Sequence, residues 1–428
     1  MRILLITHGL PPDSVGGVEQ HVSGLAQALA AAGHQVEIYA RTSRAGVPGT
    51  HVQEEWRGCR VTRVIYRWED LGKLRDLYVS NLMETSLQGF LERAAGEGRR
   101  FDVAHVHHLT GLSTGAVNVL QAAGIPVLLT LHDYWLMCPR GQMWHRDGHA
   151  CEAVEPVTCA ACLAPTFPDW LPADTGPQLV AEIHEMARAT LAAASRLVTP
   201  SARTIPFFER LGIPADRIHV VENGVDTEAL RDLEPPPEQG PLRIGYLGTL
   251  IPSKGLDTLI AAQQALPPGT ATLTIHGNSV PYHGDDGFVS RAFAGLQTSA
   301  AVRYHGPYET GDLPRLLAEI DVLVAPSLWH EAFGLTVREA MAAGRPVIVN
   351  RMGGLQDAVT EGIEGHIVEP GDVAQLSRTL AALAADRPTL RSMGTAARRR
   401  IRGFSEMAAD LLEHYLALQK LDQSGAEV

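Results

Sequence analysis

The stretch Glu234-Pro235-Pro236-Pro237-Glu238-Gln239-Gly240 breaks an alternation of short apolar runs and helical stretches that fills the chain before it and restarts directly after it. Three successive prolines remove backbone donors and fix φ, so neither a central strand nor a helix interior runs through them. Strand–helix alternation on both sides predicts two α/β domains, 1–225 and 242–404, joined by a linker at 226–241. A length of 428 residues agrees, because single hydrophobic cores stop growing at about 250–300 residues.

In the first half, Ile3 to Ile6 reads as a strand. Its apolar run is too short for a secretion signal and no small-residue cleavage site follows, so a cytoplasmic location is expected. The loop from Thr7 ends at Gly16-Gly17, after which Val18, Val22, Leu25, Leu29 and Ala32 recur at helical spacing and Val36 to Ala40 forms the next strand. A glycine pair at the mouth of such a βαβ unit admits a ligand to the backbone, or simply makes a tight turn. Phe101 to Val106 and Pro126 to Leu131 read as successive parallel strands ending in His107, His108, His132 and Asp133. Ligands of open α/β sheets sit at that edge, which makes His132-Asp133 a candidate site. His105 and His107 have the look of a metal pair, but no third ligand stands at a persuasive spacing.

Four of the five cysteines, Cys138, Cys151, Cys159 and Cys162, fall in one irregular insertion spanning 138–162. Cys159-Ala160-Ala161-Cys162 has knuckle spacing, and four thiolates suit a tetrahedral structural zinc, with His145 and His149 as substitute ligands. Disulfides are the rival in an oxidising compartment, and free thiols the simplest alternative.

After the proline stretch, Leu242 to Leu247 is a strand, Gly248 to Gly255 a loop and Leu256 to Ala265 a helix. Lys254 near that helix start is a mobile cation for a phosphate, or an ordinary surface lysine. The segment Pro326 to Gly344 carries the most chemistry: a buried strand ends at Pro326, and Glu331 and Glu339 flank Phe333-Gly334-Leu335, where a helix begins. A helix N-terminus offers unpaired N–H groups and a partial positive charge to a phosphate. By spacing, Thr336 to Glu339 is also a capping box, in which Glu339 only bonds the backbone.

Composition narrows the partners. The net charge of -12 argues against broad nucleic-acid binding, and no apolar run reaches membrane-spanning length. Arg398-Arg399-Arg400 and Arg402 form a solvated helix face, leaving at most a peripheral membrane contact.

Gly16-Gly17, His132-Asp133, Asn223-Gly224-Val225-Asp226, Gly248 with Lys254-Gly255, Pro326-Ser327, Glu331 with Glu339, Ala340 to Pro346 and Gly353-Gly354 together resemble the retaining GT-B glycosyltransferases of family 4, the "glycosyl transferases group 1". The resemblance spans nearly the whole chain. It implies an α/β GT-B fold of two Rossmann-like, doubly wound parallel-sheet domains facing across a cleft, with the last helix, 405–428, returning to the first domain. The implied reaction moves a sugar from a UDP, GDP, ADP or dTDP sugar to a hydroxyl of a small-molecule, glycan or lipid-linked acceptor, retaining anomeric configuration by a front-face route without a catalytic metal. By matching position, Glu339 bonds the ribose, Lys254 the pyrophosphate, Glu331 the sugar hydroxyls and His132 the sugar near its reacting face. Gly16, Gly17, Gly248, Phe333, Gly334, Leu335 and Thr336 supply backbone contacts. Thr249 stands where the family usually has arginine, which shifts leaving-group stabilisation toward Lys254, with Arg338 or Arg351 as supporting cations. A GT-B nucleotide-sugar epimerase and a non-catalytic nucleotide-sugar binder are the alternatives.

Overall fold

The computed structural model describes residues 1–172, 174–294 and 301–425. Its chain divides into two units, Met1–Gly141 with Ala153–Gly224 and Phe404–Val428, and Gln142–Glu152 with Val225–Gly403. Each builds its own sheet.

In the first unit the strands are β1 (Arg2–Thr7), β2 (Gln35–Thr42), β3 (His51–Trp56), β4 (Cys59–Ile65), β5 (Val103–Val106), β6 (Val127–Thr130), β7 (Arg196–Thr199) and β8 (Ile218–Val220). They lie in the order β3-β4-β2-β1-β5-β6-β7-β8. All pairs are parallel except β3 with β4. The runs Val-Ala-His-Val and Val-Leu-Leu-Thr are buried throughout, as expected for strands covered on both faces. The final helix Phe404–Gly425 belongs to this unit, and Met407, Leu411, Tyr415 and Leu418 enter the core beside Val22, Leu25 and Leu29.

The second unit has β9 (Leu242–Leu247), β10 (Ala271–His276), β11 (Val302–Tyr304), β12 (Val322–Ala325), β13 (Val347–Asn350) and β14 (Gly365–Val368), ordered β11-β10-β9-β12-β13-β14 and parallel throughout. Val225 and Leu230 are buried in its core and Leu233 packs against it, so much of the segment expected as a linker is folded onto this unit. Gln142–Glu152, expected within the N-terminal domain, also belongs here. β3 and β4 form an antiparallel hairpin at the edge of this sheet.

In both sheets the chain steps outward on one side of the first strand and then crosses to its other side, leaving a switch point between β1 and β5 and another between β9 and β12. The same clamp closes each start. Asp102 accepts from the Arg2 N–H at 2.6 Å and gives its own N–H to the Arg2 carbonyl at 2.8 Å. Asp321 repeats this with Arg243, at 2.9 and 2.7 Å.

Asp321 is fully buried, so its charge needs partners. It takes Arg243 Nε at 2.8 Å and Nη2 at 2.6 Å, and Arg387 Nη2 at 2.8 Å from helix Arg387–Arg400. Removing the carboxylate strands two guanidinium groups, one of them buried. Asp321→Ala is expected to lower the stability of the second unit by about 3–5 kcal/mol in urea unfolding, and a loss under about 1 kcal/mol would contradict this account.

Candidate functional site

At the switch point of the second unit the loops after β9 and β12 are braced together. Gly255 has φ of 67°, and a Cβ there would lie 2.1 Å from the Pro326 carbonyl oxygen, so only glycine allows this approach. Leu328 donates its N–H to the Ser253 carbonyl at 2.8 Å, and Asn350 Nδ2 holds the carbonyls of Pro326 and Ser327 at 2.8 and 3.1 Å.

This bracing brings Lys254 Nζ to 2.7 Å from Glu331 Oε1, while Ser327 Oγ donates to the same oxygen. Lys254 also sits 5.4 Å from the centroid of the Trp329 ring. The backbone of Glu331 is pinned from behind: its carbonyl accepts the Gly354 N–H at 2.6 Å, and a Cβ on Gly353 would come within 2.4 Å of it. Both residues of the Gly353-Gly354 pair therefore serve Glu331.

Helix Leu335–Ala342 begins immediately after, with Gly334 as its N-cap at φ 80°. No side chain caps it, so Thr336 and Glu339 do not form the capping box that their spacing permits. The uncapped end directs the N–H groups of Leu335 and Thr336 at whatever lies ahead of it. The Phe333 side chain is buried under the Arg338 guanidinium, whose carbon lies 4.1 Å from the ring centroid. Arg338 donates to the carbonyls of Phe333 and Gly354, and Arg351 Nε is paired with Glu369 Oε1 at 2.7 Å. Of these two arginines, expected as supporting cations, Arg338 is buried and bonded into the fold, and Arg351 is in an exposed ion pair. At Thr249 the carbonyl accepts Tyr246 OH at 2.9 Å.

Burial, helped by the nearby charge of Asp226, pushes the Glu339 carboxyl up to about 7. The Asn223 to Asp226 turn thus has an electrostatic consequence for this site. Sequence reasoning placed Ser327 in the motif without a role of its own and missed Asn350 and Gln142. Gln142 Oε1 accepts Ser253 Oγ at 3.0 Å and Tyr282 OH at 2.6 Å, beside Lys254 in sequence. Nothing in the spacing of Gln142 signals a role in that loop.

In the first unit, Gly16 is the N-cap of helix Gly17–Ala31, and a Cβ on Gly17 would meet nothing within 4 Å. Glu19, one turn on, accepts Ser14 Oγ at 2.5 Å and lies 3.6 Å from His8 Nε2. His108 Nε2 lies 3.4 Å from Asp133 Oδ2, and His107 Nδ1 lies 3.1 Å from His132 Nε2. Burial, reinforced by neighbouring histidines, holds His8, His107 and His132 well below the usual imidazole range. Gly16, Gly17 and His132 belong to this unit, and the other residues expected to hold the donor to the second.

No two of the five cysteines are joined by a disulfide. Cys159 and Cys162 lie on helix Pro156–Leu163, where burial, with the charges of Cys138 and Cys162 nearby, pushes the Cys159 thiol up to about 12. Cys151 belongs with the second unit.

Comparison with known proteins agrees with this architecture. Residues 15–229 match the model of Glycosyltransferase Family 4 and residues 231–400 that of Glycosyl transferases group 1. A glycogen synthase of Mycobacterium tuberculosis is 28% identical over 434 aligned positions, covering 98% of this chain and 95% of that protein. Among solved structures, sucrose-phosphate synthase from Thermosynechococcus elongatus aligns with a TM-score of 0.70 and 21% identity, covering 97% of this chain and 98% of the other. Anabaena HepE in complex with UDP-glucose aligns with a TM-score of 0.65 and 18% identity, covering 97% and 100%.

Proposed function

This chain belongs to glycosyltransferase family 4 and is a GT-B glycosyltransferase that uses nucleotide sugars, and from that premise we propose that it transfers the sugar with retention, by a front-face route without a catalytic metal. The observation that carries the reading is the Lys254–Glu331 pair, held at the switch point beside an uncapped helix N-terminus. An ammonium and a helix end stabilise a departing diphosphate, and a carboxylate fixed by Ser327 orients sugar hydroxyls. Together these are the parts a nucleotide-sugar donor needs.

On this reading the second unit holds the donor. Lys254 and the N–H groups at Gly334, Leu335 and Thr336 take the pyrophosphate, Glu331 the sugar and Glu339 the ribose hydroxyls, with Gly248 and Thr249 lending backbone. The first unit holds the acceptor and supplies Gly16, Gly17 and His132. The leaving phosphate accepts the acceptor's proton, so the protein positions groups rather than acting as a nucleophile. HepE bound to UDP-glucose supports a pyrophosphate-linked donor and makes uridine the first base to test. We also propose a cytoplasmic location and, on the Cys159-x-x-Cys162 spacing, a structural zinc with Cys159 and Cys162 among its ligands.

Replacing Glu331 or Lys254 by alanine should lower turnover at least tens of fold, and near-normal turnover in either variant would remove that residue from the mechanism. A thermal-shift panel of UDP, GDP, ADP and dTDP sugars tests the donor. A bound nucleotide at a hundred times its Kd stabilises the fold by roughly 2.7 kcal/mol. One nucleotide class should stabilise and be slowly hydrolysed; stabilisation by none would refute donor binding.

Glu339 sets a pH dependence. With its proton held up to about 7, the free protein carries a neutral carboxyl at pH 6 and mostly a carboxylate at pH 8. Only the carboxylate accepts two ribose hydroxyls, so donor binding releases a proton and Kd should fall by about tenfold between pH 6 and 8. Calorimetry in buffers of different ionisation enthalpy reads that proton directly, and Glu339→Gln should abolish the release.

A further inference from the structure

We propose that His21, His107 and His132 form a binding site for a single transition-metal ion, Zn²⁺ being the one that best suits three imidazoles. The three side chains come from separate elements of the first unit: the first turns of helix Gly17–Ala31, the residue after β5 and the second residue after β6. One ligand nitrogen from each lies within 4.8 Å of the others, the only such group of histidine, cysteine or acidic side chains among the described residues.

The geometry is that of a first coordination shell slightly opened. His107 Nδ1 and His132 Nε2 stand 3.1 Å apart, close to the roughly 3.3 Å between two nitrogens on a tetrahedral ion with Zn–N near 2.0–2.1 Å. His21 completes the set by closing in by no more than roughly 1.5 Å. Its ring meets His132 edge-on, with centroids 4.6 Å apart and planes at 72°.

Unmet polar atoms distinguish this cluster from an ordinary buried one. His21 is 3% exposed, yet neither of its ring nitrogens has a hydrogen-bond partner among the described residues. Buried polar atoms of that kind are rare and call for an unseen partner. His105 shows the contrast: its two nitrogens meet Tyr415 OH and Thr130 Oγ1, both at 2.6 Å, so it is a neighbour with its ring centroid 3.8 Å from that of His107 and not a ligand. A cavity of about 20 Å³ whose lining includes His107 and His132 lies beside the cluster and has room for one water.

Because the ion takes His132, it should suppress sugar transfer; that consequence alone rests on the role proposed for His132 above. The binding test does not depend on it. Full-length protein carrying Cys159→Ser and Cys162→Ser, stripped with chelator, is titrated with Co²⁺. One equivalent should bind with visible ligand-field bands and no thiolate charge-transfer band, and Zn²⁺ should displace it. His21→Ala should weaken binding at least tenfold, whereas His145→Ala with His149→Ala should leave it unchanged. No binding, or equal binding by the His21 variant, overturns the site. If circular dichroism shows His21→Ala misfolded, His21→Gln replaces it, and zinc-edge absorption of the protein with its histidines intact must show an imidazole shell; a shell without imidazole overturns the site as well.

Discussion

Gly255 approaches Pro326 so closely that any side chain there would enter the carbonyl oxygen, and that contact determines the rest of the second unit's site. It locks the loop after β9 against the loop after β12, on the two sides of the point where the strand order reverses. With both loops fixed, Lys254 and Glu331, 77 residues apart, are held at ion-pair distance. The pair is partly exposed, so its own contribution to stability is small. What matters is position. A cation and an anion on braced loops lose little entropy when a ligand of mixed charge arrives between them.

The same construction appears twice. Asp102 with Arg2 and Asp321 with Arg243 clamp corresponding strands, and in each sheet the chemistry sits at the opposite, C-terminal end of those strands. The two ends are then used differently. In the second unit they carry an ion pair and an uncapped helix. In the first they carry imidazoles kept neutral by burial, with Glu19 and Asp133 as the nearby acids. Neutral rings suit uncharged hydroxyls, or a metal, better than phosphate.

Most of the architecture was legible because the strands obey the rule for buried parallel sheets: short β-branched runs, each ending at a glycine, proline or polar residue. The β3–β4 hairpin was not, since His51 to Trp56 carries polar residues on an edge strand and lacks an apolar signature. Around Glu331 the motif residues are neighbours in sequence, so a one-dimensional reading found them. The pairing of Glu331 with Lys254 was out of reach, because it depends on which two strands share the switch point. His21 was hidden differently. It lies among Val18, Val22 and Leu25, whose helical spacing reads as a core face, and only the fold turns that face toward His107 and His132. The pairing of His105 with His107 suggested by sequence failed in detail, because Tyr415, from the far end of the chain, takes one nitrogen of His105.

Thr249 stands where the family pattern places an arginine beside the phosphate loop, and each expected substitute already has a partner in the second unit. Arg338 is buried and turned back on the carbonyls of Phe333 and Gly354, where it shapes the turn leading into the helix. Arg351 faces Glu369 at the surface. Losing one charge-assisted hydrogen bond to a phosphate removes on the order of 1.5–3 kcal/mol of binding. On the proposed reading, Lys254 and the helix dipole must supply what remains, and Lys254 is shared with Glu331 before any donor arrives. The carboxylate therefore has two opposed effects. It keeps the lysine ordered at the site, and it competes with the pyrophosphate for the ammonium. Ser327 moderates that competition by giving Glu331 a second donor, so that the lysine can turn toward phosphate without leaving a half-buried carboxylate unpaired.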